Sequence, residues 1–212
     1  MNGVYFQDEQ RSDMKNKRNA MMSKGEIMNR LATSKEDILA ASRDLIKENG
    51  WAAVSIRAVA SRCSVSAGTI YNYYESKADL LSDTIESIWH EIFFHPEDEQ
   101  IFHDVESCIS WIYERLEYGN RQFPGFFSLH SFGFMRDEKR SGKKRMMKTW
   151  GHILNGLCEV LGNDPKVRAD VFDQEFTEKK FADILFSLIL VSMIRQDYDP
   201  SSVLILVKKT LY

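Results

Sequence analysis

The chain has 212 residues, 43% of them hydrophobic, and a formal net charge of -3. That length suits a small domain joined to a larger one, and the near-neutral balance excludes a wholly basic nucleic-acid coat while allowing local basic patches. Cys63, Cys108 and Cys158 are odd in number, widely spaced and without a CxxC pair, so neither a disulfide framework nor a thiolate zinc site is expected, and a reducing cytoplasm fits.

Residues 1–33 read as a flexible basic arm. They have little apolar periodicity, and residues 11–35 carry seven Lys or Arg against two acids. Val4-Tyr5-Phe6-Gln7 resembles an expression-tag remnant or an over-long start, and the arm has no apolar central region of the kind a signal peptide needs. From Thr33 the character changes. Thr33 with Glu36, or Ser34 with Asp37, makes a capping box ahead of Ile38, Leu39, Ala41, Leu45 and Ile46 at helical spacing, and this first helix ends near Gly50.

Ser55 then caps Ile56 to Arg62, and Ser66 caps a short helix running through Tyr73. Between them Cys63-Ser64-Val65 has the length of a tight turn, with Val65 facing a core of Ile56, Val59, Ile70 and Leu45. Ser76 with Asp79 opens a fourth helix through Leu80, Leu81, Ile85, Ile88 and Trp89, expected to stop before Pro96. Small, hydroxyl and aromatic-hydroxyl side chains crowd the third helix, which packing alone does not require and a helix pressed into a DNA groove does.

The run Val65-Ser66-x-Gly68-Thr69-Ile70-Tyr71-x-Tyr73-Tyr74-x-x-Lys77-x-x-Leu80 resembles the amino-terminal domain of TetR-type (tetracycline-repressor-like) transcriptional regulators, in register over about residues 34–81. The resemblance implies an all-α protein: a three-helix helix-turn-helix DNA-binding domain over 34–81, and a larger helical effector-binding and dimerisation domain over 82–212. It implies a homodimer on a palindromic double-stranded DNA operator, most often a repressor, released by a small apolar or amphipathic effector.

Residue chemistry supports particular DNA contacts. Ser55 and Ser66 sit at helix starts, where a hydroxyl and free backbone N–H groups can hold a phosphate, although capping alone also explains serine there. Gly68 costs about 1 kcal/mol in a helix relative to alanine, which suggests close approach of the backbone to DNA or to a neighbouring helix. The hydroxyls of Thr69, Tyr71 and Tyr73 can reach sugar-phosphate oxygens, as the resemblance also implies. Tyr74 reads as core. Lys77 and Lys35 are candidate phosphate ligands, and Ala67, Asn72 and Arg57 are the candidate base readers. Residues 34–84 carry six basic against seven acidic side chains, so the arm is expected to supply positive charge.

Beyond Pro96, helical patterns recur near 98–118, 124–135, 138–161, 167–195 and 201–211, the fourth of these with a candidate break between Phe172 and Lys180. Residues 136–148 carry seven basic against two acidic side chains around Ser141-Gly142 and read as a mobile surface loop. The run from Ile184 to Ile194 is too short to cross a bilayer, so no membrane partner is expected, and one of its faces should meet a second subunit. Trp111, Phe123, Phe127, His130, Phe134, Trp150 and Phe186 are the candidate effector-pocket residues, with core packing the plainer reading of each. The histidines form no HxxxH pair and have no cysteine at ligand spacing, so no metal and no cofactor is expected. Two alternatives remain: a regulator whose carboxy-terminal domain binds a protein partner, and a helical enzyme, for which no catalytic constellation stands out.

Overall fold

In the computed structural model, the structure describes residues 33–93, 102–127 and 140–212, with side chains from residue 150 onward in the last segment. All regular structure in these residues is helical, as expected for an all-α chain. The helices are α1 (Lys35–Asn49), α2 (Ile56–Arg62), α3 (Ala67–Tyr71), α4 (Lys77–Phe93), α5 (Val105–Gln122), α6 (Arg140–Asn163), α7 (Glu178–Arg195) and α8 (Ser201–Leu211), with a 3-10 turn at Trp51–Ala53. Two compact units meet in sequence at Thr84 and Ile85, inside α4.

The first unit starts on the Ser34 box. Ser34 Oγ accepts from Asp37 N at 3.1 Å, while Asp37 Oδ2 accepts from Ser34 N at 2.9 Å, so the second of the two expected boxes is the one formed. Helix α1 ends at Gly50, whose φ of 75° suits a residue without Cβ. Ile38, Ile46, Val54, Val59, Ile70 and Leu80 are all at most 1% exposed, and this aliphatic plug holds α1, α2, α3 and the start of α4 together. Val65 and Leu45, expected in that plug, are only half-buried; Ile46, one position on, takes the inward place. The turn between α2 and α3 passes through Ser64 at φ 56°, a left-handed conformation for a non-glycine residue. Arg62 of α2 pairs with Glu48 of α1, its Nη1 donating to Oε2 at 2.8 Å, and clamps the outer ends of the two helices.

In the second unit α6 packs on α5 and α7, and α8 packs on α5. Its core contains Ile109, Tyr113, Phe123, Phe126, Phe127, Phe181, Leu185 and Val207. Asp164, 6% exposed, knots three segments together: its carboxylate accepts from Val105 N at 3.0 Å, Lys166 N at 2.9 Å and the Tyr212 hydroxyl at 2.5 Å. The end of α4 is held by Arg115, which donates to the carbonyls of Ile92 and, at 3.1 Å, Glu91. A Cβ on Gly119 would lie 2.6 Å from Ile92 Cδ1, so glycine is what lets α5 approach α4 this closely.

Several boundaries differ from the sequence expectation. Helix α3 stops at Tyr71 rather than Tyr73. Residues 140–148 are the first turns of α6 rather than a loop, since an intervening Ser-Gly pair costs too little to break a long helix. The 167–195 pattern is helical only from Glu178, where Thr177 accepts from Lys180 N; before it, residues 164–177 make turns stabilised by Asp173, whose carboxylate accepts from the N–H groups of Glu175 and Phe176. The expected stop at Pro96, the arm over residues 1–32, most of the 124–135 pattern, and His130 and Phe134 lie outside the described residues.

Candidate nucleic-acid interface and ligand cavity

Helix α3 is five residues long and is held at both ends. Ser66 Oγ accepts from Thr69 N at 3.2 Å, and Ile70 anchors the inner face at 0% exposure. What remains outward is a small surface: Ser66, Gly68, Tyr71 and Asn72 are exposed, Ala67 is half-buried, and Lys77 is exposed at the start of the next helix. Tyr71 is 55% exposed, unusual for so large a ring. Asn72 occupies the C-cap position, past the last helical residue. Arg57 is exposed on α2, and Ser55, half-buried, caps that helix by accepting from Ala58 N at 3.1 Å. Neither Arg57 nor Lys77 has an ion-pair partner among the described residues, unlike Arg62.

The space around the Gly68 Cα is informative. A Cβ there would meet only Ser66 Oγ, at 3.6 Å, an ordinary contact. Close approach of a neighbouring helix of the same unit therefore does not explain the glycine.

Two of the expected hydroxyl contacts change. Thr69 is 8% exposed, with Oγ1 3.1 Å from Ser66 Oγ, so it faces inward and steadies the cap. Tyr73 is half-buried and its hydroxyl donates to the Thr33 carbonyl at 2.8 Å. A phenol has one proton to give, so this tyrosine cannot also donate to a phosphate without breaking that bond. Lys35 is ion-paired to Asp83 at 2.6 Å with its ammonium 5.7 Å from the Tyr74 ring centroid, although its side chain stays 58% exposed. Tyr74 is in the core, 4% exposed.

The second unit contains a cavity of about 920 Å³, near the upper end of the size range of small-molecule sites. Phe93, Cys108, Ile112 and Leu157 are buried along it, while Phe102, Trp111, Ile153 and Val160 are half-buried; His103, His152, Asn155, Glu159 and Asn163 are exposed. Three rings meet in it at an angle: Trp111 lies 5.9 Å from Phe93 and 5.2 Å from Phe102, with interplanar angles of 66° and 56°. Burial pushes the Cys108 thiol up to about 12, so it lines the wall as a protonated, unreactive group. Of the expected pocket residues, Trp111 lines this cavity. Phe123 and Phe127 are instead fully buried in the core, and Trp150 packs against Phe186 at 5.7 Å without lining it. Phe93, Phe102, Asn155 and Glu159 were not legible as pocket residues, because the cavity joins segments more than fifty positions apart and no local pattern marks such a wall. Among the described residues, no group of His, Cys, Asp and Glu could hold a metal ion, and no helix is long and apolar enough to cross a membrane.

Residues 38–84 match the family model described as bacterial regulatory proteins, tetR family. The HTH-type transcriptional regulator UidR of Escherichia coli K12 is 38% identical over 48 residues, which is 23% of this chain and 24% of UidR; the match thus spans about a quarter of that relative's length. Among solved structures, a TetR transcription regulator from Haloarcula marismortui superposes with a TM-score of 0.64 at 17% identity, covering 84% of this chain and 98% of that one. FadR of Bacillus subtilis, in complex with stearoyl-CoA, gives 0.58 at 18% identity over 84% of this chain and 100% of that one. Salmonella enterica GusR gives 0.55 at 16% identity over 84% and 94%. These likenesses show a shared all-helical fold, and the short second helix, the capped third helix and the outward Ser66-to-Asn72 surface all lie within residues 38–84, the segment that matches the model of the tetR family of bacterial regulatory proteins.

Proposed function

We propose that the chain is a dimeric transcriptional repressor that binds a palindromic operator through α3 and is released from it by a small molecule held in the 920 Å³ cavity. One observation carries this reading. Helix α4 is continuous, contributing Leu80, 0% exposed, to the core of the DNA-binding unit and Phe93 to the cavity wall of the other. A ligand that prefers one setting of Phe93 bears on a helix whose other end starts at Lys77.

The contacts follow from exposure and chemistry. Ala67 and Gly68 allow the helix into the major groove, Asn72 and Arg57 offer hydrogen bonds to base edges, and Ser55, Ser66, Tyr71, Lys77 and Lys35 face phosphates. Lys35 reaches one only by sharing or leaving its Asp83 partner. Dimerisation uses the outer faces of α7 and α8, where Ile184, Val191, Ile194, Ile205 and Leu206 are each 38–54% exposed. A dimer formed there carries two α3 helices, matching a palindrome whose half-sites lie about one DNA turn, ~34–36 Å, apart.

The coupling is testable as a pair of affinities. For a compound that raises the melting temperature of the free protein, affinity is measured with and without saturating operator, and operator affinity with and without compound. Linkage requires the two ratios to agree, both above one. A compound that binds free and DNA-bound protein equally contradicts release.

A further inference from the structure

We propose that the cavity recognises a lipophilic organic cation, an aromatic or long-chain ammonium, rather than an anionic amphiphile; this rests on reading the cavity as the effector site. Its buried wall is apolar and aromatic, and the angled rings of Phe93, Phe102 and Trp111 make a concave corner. An aromatic face carries negative charge density and attracts a desolvated cation, most strongly when the ring is tryptophan. Glu159 is the one carboxylate among the described lining residues, and no lysine or arginine stands among them. Glu159 has no ion-pair partner among the described residues. Lys166, which follows the lining residue Pro165, is spent on Asp104 at 2.9 Å.

A carboxylate or phosphate entering this space would therefore face the Glu159 charge, with no described cation on the wall to offset its lost hydration. An ammonium would instead meet the buried Phe93 ring, the half-buried Phe102 and Trp111 rings and the exposed Glu159 carboxylate. His103 and His152 are both exposed on the cavity edge and offer hydrogen bonds. Cys108, held protonated by burial, adds polarizable surface and forms no adduct.

The test uses the full chain and isothermal titration calorimetry with matched probes: a naphthylethyl trimethylammonium salt, naphthylethanol and naphthylpropanoate, and the same three head groups on a dodecyl body. The ammonium should bind about tenfold tighter than the alcohol, with the carboxylate weakest. Glu159→Gln should erase most of the ammonium's advantage over the alcohol while leaving the alcohol unchanged. Trp111→Leu, checked for a native melting transition, should weaken the ammonium more than the alcohol. If the carboxylate or alcohol binds as tightly as the ammonium, the cation preference is overturned and the cavity reading stands. If none of the six binds, the cavity is not an effector site and both readings fall.

Discussion

Gly68 is the residue on which the DNA-facing surface turns. Because a Cβ there meets nothing closer than 3.6 Å, Gly68→Ala should fold with unchanged or slightly higher stability, by up to about 1 kcal/mol from helix propensity, yet lose DNA affinity by on the order of tenfold, the scale of one lost groove contact. Urea denaturation and fluorescence anisotropy on the same preparation would check both halves. The two tyrosines flanking Asn72 should separate in the opposite sense. Tyr73→Phe deletes the bond to the Thr33 carbonyl and should cost about 1 kcal/mol of stability, with little change in DNA affinity. Tyr71→Phe, at an exposed ring, should leave stability alone and weaken DNA binding. Both hydroxyls look alike in the motif. Which one is spent inside the fold depends on an acceptor forty positions earlier in the chain, and no local pattern carries that information.

Helices were legible where a cap and an apolar period agree, and less so where only one of them is present. Ser34, Ser55 and Ser66 mark the starts of α1, α2 and α3 as expected, each accepting from the backbone N–H three positions on. Helix α7 had a strong period and only a broad candidate break, Phe172 to Lys180, before it; its start at Glu178 falls within that range, and the preceding turn is made by Asp173 gathering two backbone N–H groups, a device with no hydrophobic signature. The start of α5 gives a pH-dependent test. Asp104 caps it by accepting from Ser107 N and Oγ at 2.7 and 2.6 Å, and it pairs with Lys166. The Ser107 bonds first, and then Lys166, hold its carboxyl well below the usual range. A folded-state pKa below the unfolded value means a stabilisation that is complete above the unfolded pKa, near 4, and is lost as pH falls through the folded one. Asp104→Asn should therefore cost about 1 kcal/mol at pH 7 and show a shallower loss of stability below about pH 4 than the parent, read by denaturation at stepped pH.

At the scale of the molecule, helix α4 joins a unit whose family likeness is carried by a local motif to a unit in which no local motif marks a ligand. The first is legible because two serine caps, a tight turn and a run of small and hydroxyl side chains lie within a few positions of one another. The second is not, because a cavity is a shape left between α4, α5 and α6, and aromatic residues that fill a core look the same in sequence as those that line a space. The exposed apolar side chains of α7 and α8 support the proposed twofold assembly. Ile194→Asp with Ile205→Asp, at positions 43% and 54% exposed in the protomer, should leave the fold intact, yield a monomer by analytical ultracentrifugation, and lower operator affinity steeply as the second half-site contact is lost. The most direct measurement of the central claim is selection of bound duplexes by the full chain from a random DNA library, followed by sequencing. The account predicts enrichment of a palindrome with half-sites about one helical turn apart, lost in the Gly68→Ala variant; enrichment of no sequence, or of a single unpaired half-site, would contradict it.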